Sequence, residues 1–382
     1  MILIFIRSVL SPRPPSLHIA IYALILPPIL LLSSFMTDLN SYPATDDRVQ
    51  IMGRHEVESD GSIKFGASGV SFYFRFEGTT LEVELEDEFR YGNANNIFTV
   101  ILNGEESHRF KIEPGQSRFI LAHDLNPDEH QLILVKATEG ANGWTRLKSI
   151  HTEKLIESYL LPNRYIEFIG DSMTSGMAAD EREVKCGEGD WMDQHNSWSS
   201  YGAITARNLN AQFMLTSVSG MGMLRNWNTP APVMSDRYES VFADPEDSIS
   251  SWDFSKYKAD VVVIALGTND FSDGDRPDPR PAPVAEEFKS QYLNFLITVR
   301  QKYPEARILM LNSPLIDPHR NELLGQWLKE LKAERAAAGD PNVYVFEFTE
   351  QYPSGCSGHP DLAEHAEMAE LLTPIVGSLL DR

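Results

Sequence analysis

The hydrophobic period of the chain changes part-way along, and that change restricts the architectures open to it. Val70, Phe72, Phe74 and Phe76 alternate with Ser71, Tyr73, Arg75 and Glu77, and Leu81, Val83 and Leu85 alternate with Glu82, Glu84 and Glu86. Period-2 runs of this kind make strands with one face in a core. "IFTVILNG", "SRFILAHDL" and "HQLILVKAT" continue the pattern, separated by turn-rich pieces such as Asn103-Gly104 and Asn126-Pro127-Asp128. Residues 48–160 are therefore expected to form a β-sandwich. From residue 163 the apolar runs "YIEFIG", "QFMLTSVSG", "DVVVIALG", "RILMLNS" and "VYVFEF" alternate with helical stretches, among them "VAEEFKSQYLNFLITVRQKY" and "DLAEHAEMAELLTPIVGSLL". Strand and helix in alternation predict a parallel sheet covered on both faces, so residues 163–382 read as an α/β domain. The boundary falls near Pro162 and Asn163, and 382 residues leave room for both domains.

With 33 Lys and Arg against 55 Asp and Glu, the formal net charge is -22. Phosphate binding needs a basic footprint, so nucleic acid is not an expected partner, and neither is a polyanionic substrate or an anionic membrane surface. A neutral substrate fits best. Residues 1–35 differ from the rest: Arg7 and Arg13 precede the apolar "HIAIYALILPPILLLSSF". That composition suits an export signal, although Pro27-Pro28 and the lack of an A-x-A-like site match it poorly. An uncleaved membrane anchor is a second reading, and translation from Met36, which would leave the protein cytoplasmic, is a third. Export to an extracellular or periplasmic location is the expectation. Cys186 and Cys356 are the two cysteines; they join as a disulfide or remain separate thiols according to the compartment.

At "YIEFIGDSMTSGM" a buried strand ends by presenting Ser172. Ligands of open α/β sheets bind outside the carboxyl ends of the strands, where a nucleophile would sit, although Asp171 and Ser172 would equally serve as helix caps. Three further segments occupy predicted strand ends or the loop before the last helix: "SVSGMGM" with Gly220, "ALGTNDF" with Asn269, and "GCSGHPDLAEH" with His359. Each alone has an ordinary structural explanation. Together they put a hydroxyl, a backbone N–H, a side-chain amide and an imidazole on one rim of one sheet, the inventory for acyl transfer.

Gly170-Asp171-Ser172, Gly220, Gly267-Thr268-Asn269-Asp270 and His359-Pro360, in that order, resemble the SGNH (GDSL-type) hydrolases. With a strand module before them and "SSYGAITAR" and "SGMGMLRNW" after the serine, the chain is most similar to carbohydrate esterase family 2. That resemblance implies a jelly-roll domain followed by a three-layer α/β/α hydrolase domain. It also implies removal of O-acetyl groups from plant polysaccharide or oligosaccharide of the xylan or glucomannan type, with acetylated carbohydrate as the partner and no cofactor. Ser172 would be the nucleophile and His359 its base. The backbone N–H groups of Ser172 and Gly220 and the amide of Asn269 would form the oxyanion hole. A GDSL lipase or thioesterase acting on other acyl esters, or a non-catalytic carbohydrate-binding protein, are the alternatives.

One position departs from the resemblance. SGNH proteins commonly carry an Asp three residues before the histidine, and here that residue is Cys356. The expected arrangement is therefore a Ser-His dyad in which the main-chain carbonyl of Ser357 accepts the His359 N–H, as in some similar carbohydrate esterases; a carboxylate from Asp361 or Glu364 against the ring would contradict it. A Cys186–Cys356 bridge, for which resembling proteins often have the cysteines, would tie the histidine loop to the serine side. Trp227 is the expected sugar platform, with Trp191 a further aromatic candidate; Trp198 and Tyr201 have the spacing of helix core contacts. Arg225 and Asn226 either bond sugar hydroxyls or hold their loop. No H-E-x-x-H or paired C-x-x-C occurs, and "FSDGDRPDPRP" is calcium-like in composition alone, so no metal is expected.

Overall fold

The computed structural model describes residues 38–90, 92, 95–242 and 250–381; the apolar segment 1–35 lies outside them. Strands of the first half form a ten-stranded antiparallel sheet. Its centre is β1 (Ser71–Asp87), which pairs with β2 (Asp128–Lys136), β3 (Thr145–Ile156) and two shorter strands. Phe72, Phe74, Phe76, Leu81, Val83 and Leu85 are all fully buried in one phenylalanine-rich core. The charged residues between them are half-buried, as the alternation requires.

The two runs that read as separate strands are one strand of 17 residues. It passes through Gly78 at φ +141°, where a Cβ would come within 2.3 Å of Glu153. The Glu153 carboxylate accepts the N–H groups of Thr79 (2.9 Å) and Thr80 (3.2 Å), so the break in the pattern is a bend held by a side chain and not a turn. β3 escaped the sequence reading because register shifts at Leu147/Ser149 and Thr152/Lys154 interrupt its alternation. The strand Glu105–Lys111 escaped it because most of its side chains are polar and at least partly exposed.

The second sheet has five parallel strands: β4 (Tyr165–Gly170), β5 (Gln212–Ser217), β6 (Val261–Ala265), β7 (Arg307–Leu311) and β8 (Val343–Phe346), in the order β5-β4-β6-β7-β8. Alternate residues of the buried runs serve opposite faces. Val262 and Ile264 pack with α2 (Ala285–Lys302) and α3 (Pro318–Ala337), through Phe288, Tyr292, Leu324 and Leu328. Val261, Val263 and Ala265 pack with α1 (Tyr201–Asn208) and α4 (Leu362–Leu380), through Tyr201, Ala206, Met368 and Leu372. The result is the expected three-layer α/β/α arrangement. The strand order reverses at β4, so the crevice between the carboxyl ends of β4 and β6 is where this topology opens a site.

Residues 38–381 pack as one compact unit. Arg54, from the antiparallel half, is 2% exposed. It donates to Glu167 on β4 (3.0 Å) and to the carbonyls of Tyr238 (2.5 Å) and Ser240 (2.6 Å), so the buried charge is paired with a carboxylate and bonded through both terminal nitrogens.

Candidate active site

β4 ends at Gly170, where there is no room for a side chain: a Cβ would lie 2.1 Å from Thr174 Oγ1. Asp171 then caps a four-residue turn, Ser172–Ser175, its Oδ1 accepting the Met173 N–H. The helix-cap reading of this stretch thus holds for Asp171, while Ser172 is turned to the crevice. Its Oγ lies 2.8 Å from His359 Nε2.

His359 sits in the loop before α4, and its Nδ1 is 3.3 Å from the Ser357 carbonyl. A carbonyl can only accept, so the ring proton is on Nδ1 and Nε2 is free to receive the Ser172 proton. Ser357 has φ +56°, and the Gly355 N–H donates to the His359 carbonyl at 2.6 Å. Cys356 is bonded to Cys186, 170 residues away in sequence, and its N–H donates to the Ala178 carbonyl. The carboxylates that would contradict a dyad are occupied elsewhere. Asp361 and Glu364 cap α4 reciprocally, and Glu364 also accepts from Ser354. Burial holds the His359 imidazole below its ordinary value of 6.5; the Ser357 carbonyl opposes that shift, His195 adds to it, and Glu139 opposes it.

Gly220 follows β5 with φ +76°, the left-handed region that favours glycine. Its carbonyl accepts the Trp227 N–H at 2.8 Å. Asp270 shapes the same loop, its carboxylate accepting the N–H groups of Met223, Leu224 and Arg225 at 2.7–3.0 Å. Burial raises this carboxyl to about 6 against those bonds. Asn269, 4% exposed, begins the crossing from β6. Its Nδ2 donates to the Met221 carbonyl at 2.9 Å and to Asp171 Oδ2 at 3.2 Å. Both amide hydrogens therefore have protein partners, and the longer bond is the one an incoming oxyanion would compete for. Burial raises the Asp171 carboxyl to about 7.

Ser172, Gly220, Asn269, Ser357 and His359 line one cleft of about 920 Å³ together with Trp227. Trp227 is 40% exposed, in keeping with a platform. Of the two roles open to Arg225 and Asn226, both residues take the loop-holding one, and Asn226 lines the cleft as well. Arg225 donates to the carbonyls of Asp270 and Pro281, and does not line the cleft. Asn226 accepts the Gly222 N–H and donates to Thr229 and Pro232, which uses both of its amide hydrogens. Trp198 packs on Phe213 beneath Arg207, and the buried Tyr201 bonds Thr174. Trp191 stands edge-on to His195. In the calcium-like loop, Asp273 accepts from Arg280 and Arg320. The sequence reading missed Asp270 and the Glu139–His195 pair behind the serine; the Asp270 position was visible in "GTND", but its three backbone partners are set by the fold.

Residues 51–158 match the family model Carbohydrate esterase 2 N-terminal, and residues 168–370 match the GDSL-like Lipase/Acylhydrolase family. An acetylxylan esterase / glucomannan deacetylase of Cellvibrio japonicus (strain Ueda107) is 28% identical over 353 residues, 91% of this chain and 93% of that protein. The structure of a family two carbohydrate esterase from Cellvibrio japonicus superposes with a TM-score of 0.80 at 28% identity, covering 90% of this chain and 98% of that one. A family two carbohydrate esterase from Clostridium thermocellum, solved in complex with cellohexaose, superposes at 0.78 with 31% identity, covering 87% of this chain and 99% of that one.

Proposed function

The chain belongs to carbohydrate esterase family 2, with a GDSL-type hydrolase domain, and we propose that it removes O-acetyl groups from plant cell-wall polysaccharide or oligosaccharide of the xylan or glucomannan type. The observation that carries this reading is the 2.8 Å contact of Ser172 Oγ with His359 Nε2, in a cleft walled by Trp227.

Ser172 gives its proton to Nε2 as Oγ attacks the acetyl carbonyl, and the Ser357 carbonyl holds the imidazolium through Nδ1–H. The N–H groups of Ser172 and Gly220 and the Asn269 amide meet the oxygen as it becomes negative. His359 then returns the proton to the departing sugar oxygen, leaving acetyl on Ser172. A water gives a proton to the same nitrogen, its oxygen attacks the acetyl carbon, and acetate leaves as Ser172 regains its hydrogen. The acidic chain suits a neutral sugar, and the exposed Trp227 offers a ring face to it. The Cys186–Cys356 bridge supports export, since such bonds persist in oxidising compartments.

Acetate release from acetylated xylan, acetylated glucomannan and 4-nitrophenyl acetate, compared between wild type and Ser172→Ala, tests reaction and substrate together. Release from polysaccharide that vanishes in Ser172→Ala is the expected result. Activity confined to the small ester would refute the substrate class, and release that persists in Ser172→Ala would refute the mechanism.

A further inference from the structure

A buried carboxylate from the antiparallel half reaches the back of the esterase site. β2 runs on into Ala137–Asn142, and Lys136, fully buried, donates its Nζ to the carbonyls of Thr138 (3.1 Å) and Glu139 (3.0 Å). That clamp fixes the backbone of Glu139. Its side chain, also fully buried, turns into the other domain. Oε2 accepts the Ser219 N–H at 2.6 Å and lies 3.1 Å from Ser175 Oγ. Ser175 Oγ is also 2.9 Å from Ser217 Oγ; with one hydrogen to give, it donates to the carboxylate and accepts from Ser217.

Both contacts are adjacent to reacting parts. Ser219 is the residue before Gly220, and Ser175 ends the turn that begins with Ser172. The second oxygen, Oε1, has no hydrogen-bond partner and stands 3.8 Å from His195 Nε2, an ion-pair distance. An ionised carboxylate is costly to bury without compensation. Burial opposes the charge here, yet His195 and the Ser219 N–H outweigh it and hold the carboxyl below its ordinary range.

The geometry points to Glu139 as a positioning residue of the esterase: by accepting the Ser219 N–H it fixes the Val218–Ser219 peptide that leads into Gly220, so that the Gly220 N–H meets the oxyanion, and its buried negative charge favours the imidazolium of His359. This rests on the acyl-enzyme reading above. The groups acting on His359 are Glu139, which favours its charged form, and His195, which opposes it. His365 on α4 is pushed down to about 3 by burial and stays neutral. Arg320 and Asp317, which also line the cleft, pair with each other at 3.2 Å.

The sign of the effect follows. His359 works as a base when neutral, so kcat/KM falls as pH drops through its pKa. Removing a negative neighbour lowers that pKa and moves the acid limb to lower pH. Glu139→Gln keeps shape and an acceptor for the Ser219 N–H while deleting the charge, and Glu139→Ala deletes both. With 4-nitrophenyl acetate, Glu139→Gln is expected to shift the acid limb downward. Glu139→Ala is expected to lower kcat by about 10²-fold through a misplaced Gly220 with little change in KM. A Glu139→Gln profile superimposed on that of the wild type, or a folded Glu139→Ala with wild-type kcat, overturns the inference. Should Glu139→Ala fail to fold, the profile of Glu139→Gln decides. Ser172→Ala assayed alongside separates the two readings: its inactivity leaves the mechanism standing whichever way Glu139 falls.

Discussion

Asn269 shows how one side chain serves both the loop and the reaction. Its Nδ2 ties the Met221 carbonyl and Asp171 together across the carboxyl ends of the sheet, which holds the amide in place with only the 3.2 Å bond to Asp171 to be exchanged for the oxyanion. Preorganised donors of this sort dominate acyl-transfer rates because they need no reorientation as charge develops. Asn269→Ala is expected to lower kcat by about 10²- to 10³-fold with KM little changed, measured on 4-nitrophenyl acetate. A loss confined to KM would show that the amide binds ground state and transition state alike. Thermal unfolding of the same variant reports the structural part, since the Met221 carbonyl is left without its donor.

At the scale of the element, α4 decides what orients the histidine. Its first turn takes both nearby carboxylates, Asp361 and Glu364, into a capping box, leaving the Ser357 carbonyl as the partner of His359 Nδ1. Asp361→Ala should therefore cost about 1 kcal/mol of stability, the worth of an N-cap, as read from denaturant unfolding. kcat should remain within a few-fold of the wild type, whereas loss of a carboxylate that orients a catalytic histidine lowers it by about 10⁴-fold. A fall of the larger size would identify Asp361 as the missing acid member and overturn the dyad.

For the whole molecule, the long-range ties that hold the site include the Arg54–Glu167 pair between the sheets and the Cys186–Cys356 bond across the cleft loops. The bond joins residues 170 apart, and restricting so long a loop in the unfolded chain stabilises the native state by about 5 kcal/mol on the chain-entropy account. Reduction should lower the unfolding midpoint in denaturant by a correspondingly large amount. It should also reduce kcat, because Cys356 is three residues from His359. An unchanged midpoint with the thiols shown to be reduced would mean that the loops are held by their hydrogen bonds alone.

Much of this was already in the order of residues. Period-2 alternation from Val70 to Glu86 and the buried runs from Tyr165 onward determined the two layer types, because burial of one face or both faces is written directly into which positions are apolar. The four short blocks with Ser172, Gly220, Asn269 and His359 marked the rim of the second sheet for the same local reason: each ends a strand or precedes a helix. Tertiary structure alone decided the rest. A side chain's partner depends on what the fold brings opposite it, so Arg225 turned out to support its loop outside the cleft while Asn226 supports the loop from within the cleft wall. The run through Gly78 became a bend because Glu153 lies across it. Glu139, in a stretch with no motif of its own, came to rest behind Ser172 and Gly220 because Arg54 fastens one half of the chain against the other and Lys136 clamps the segment that carries it.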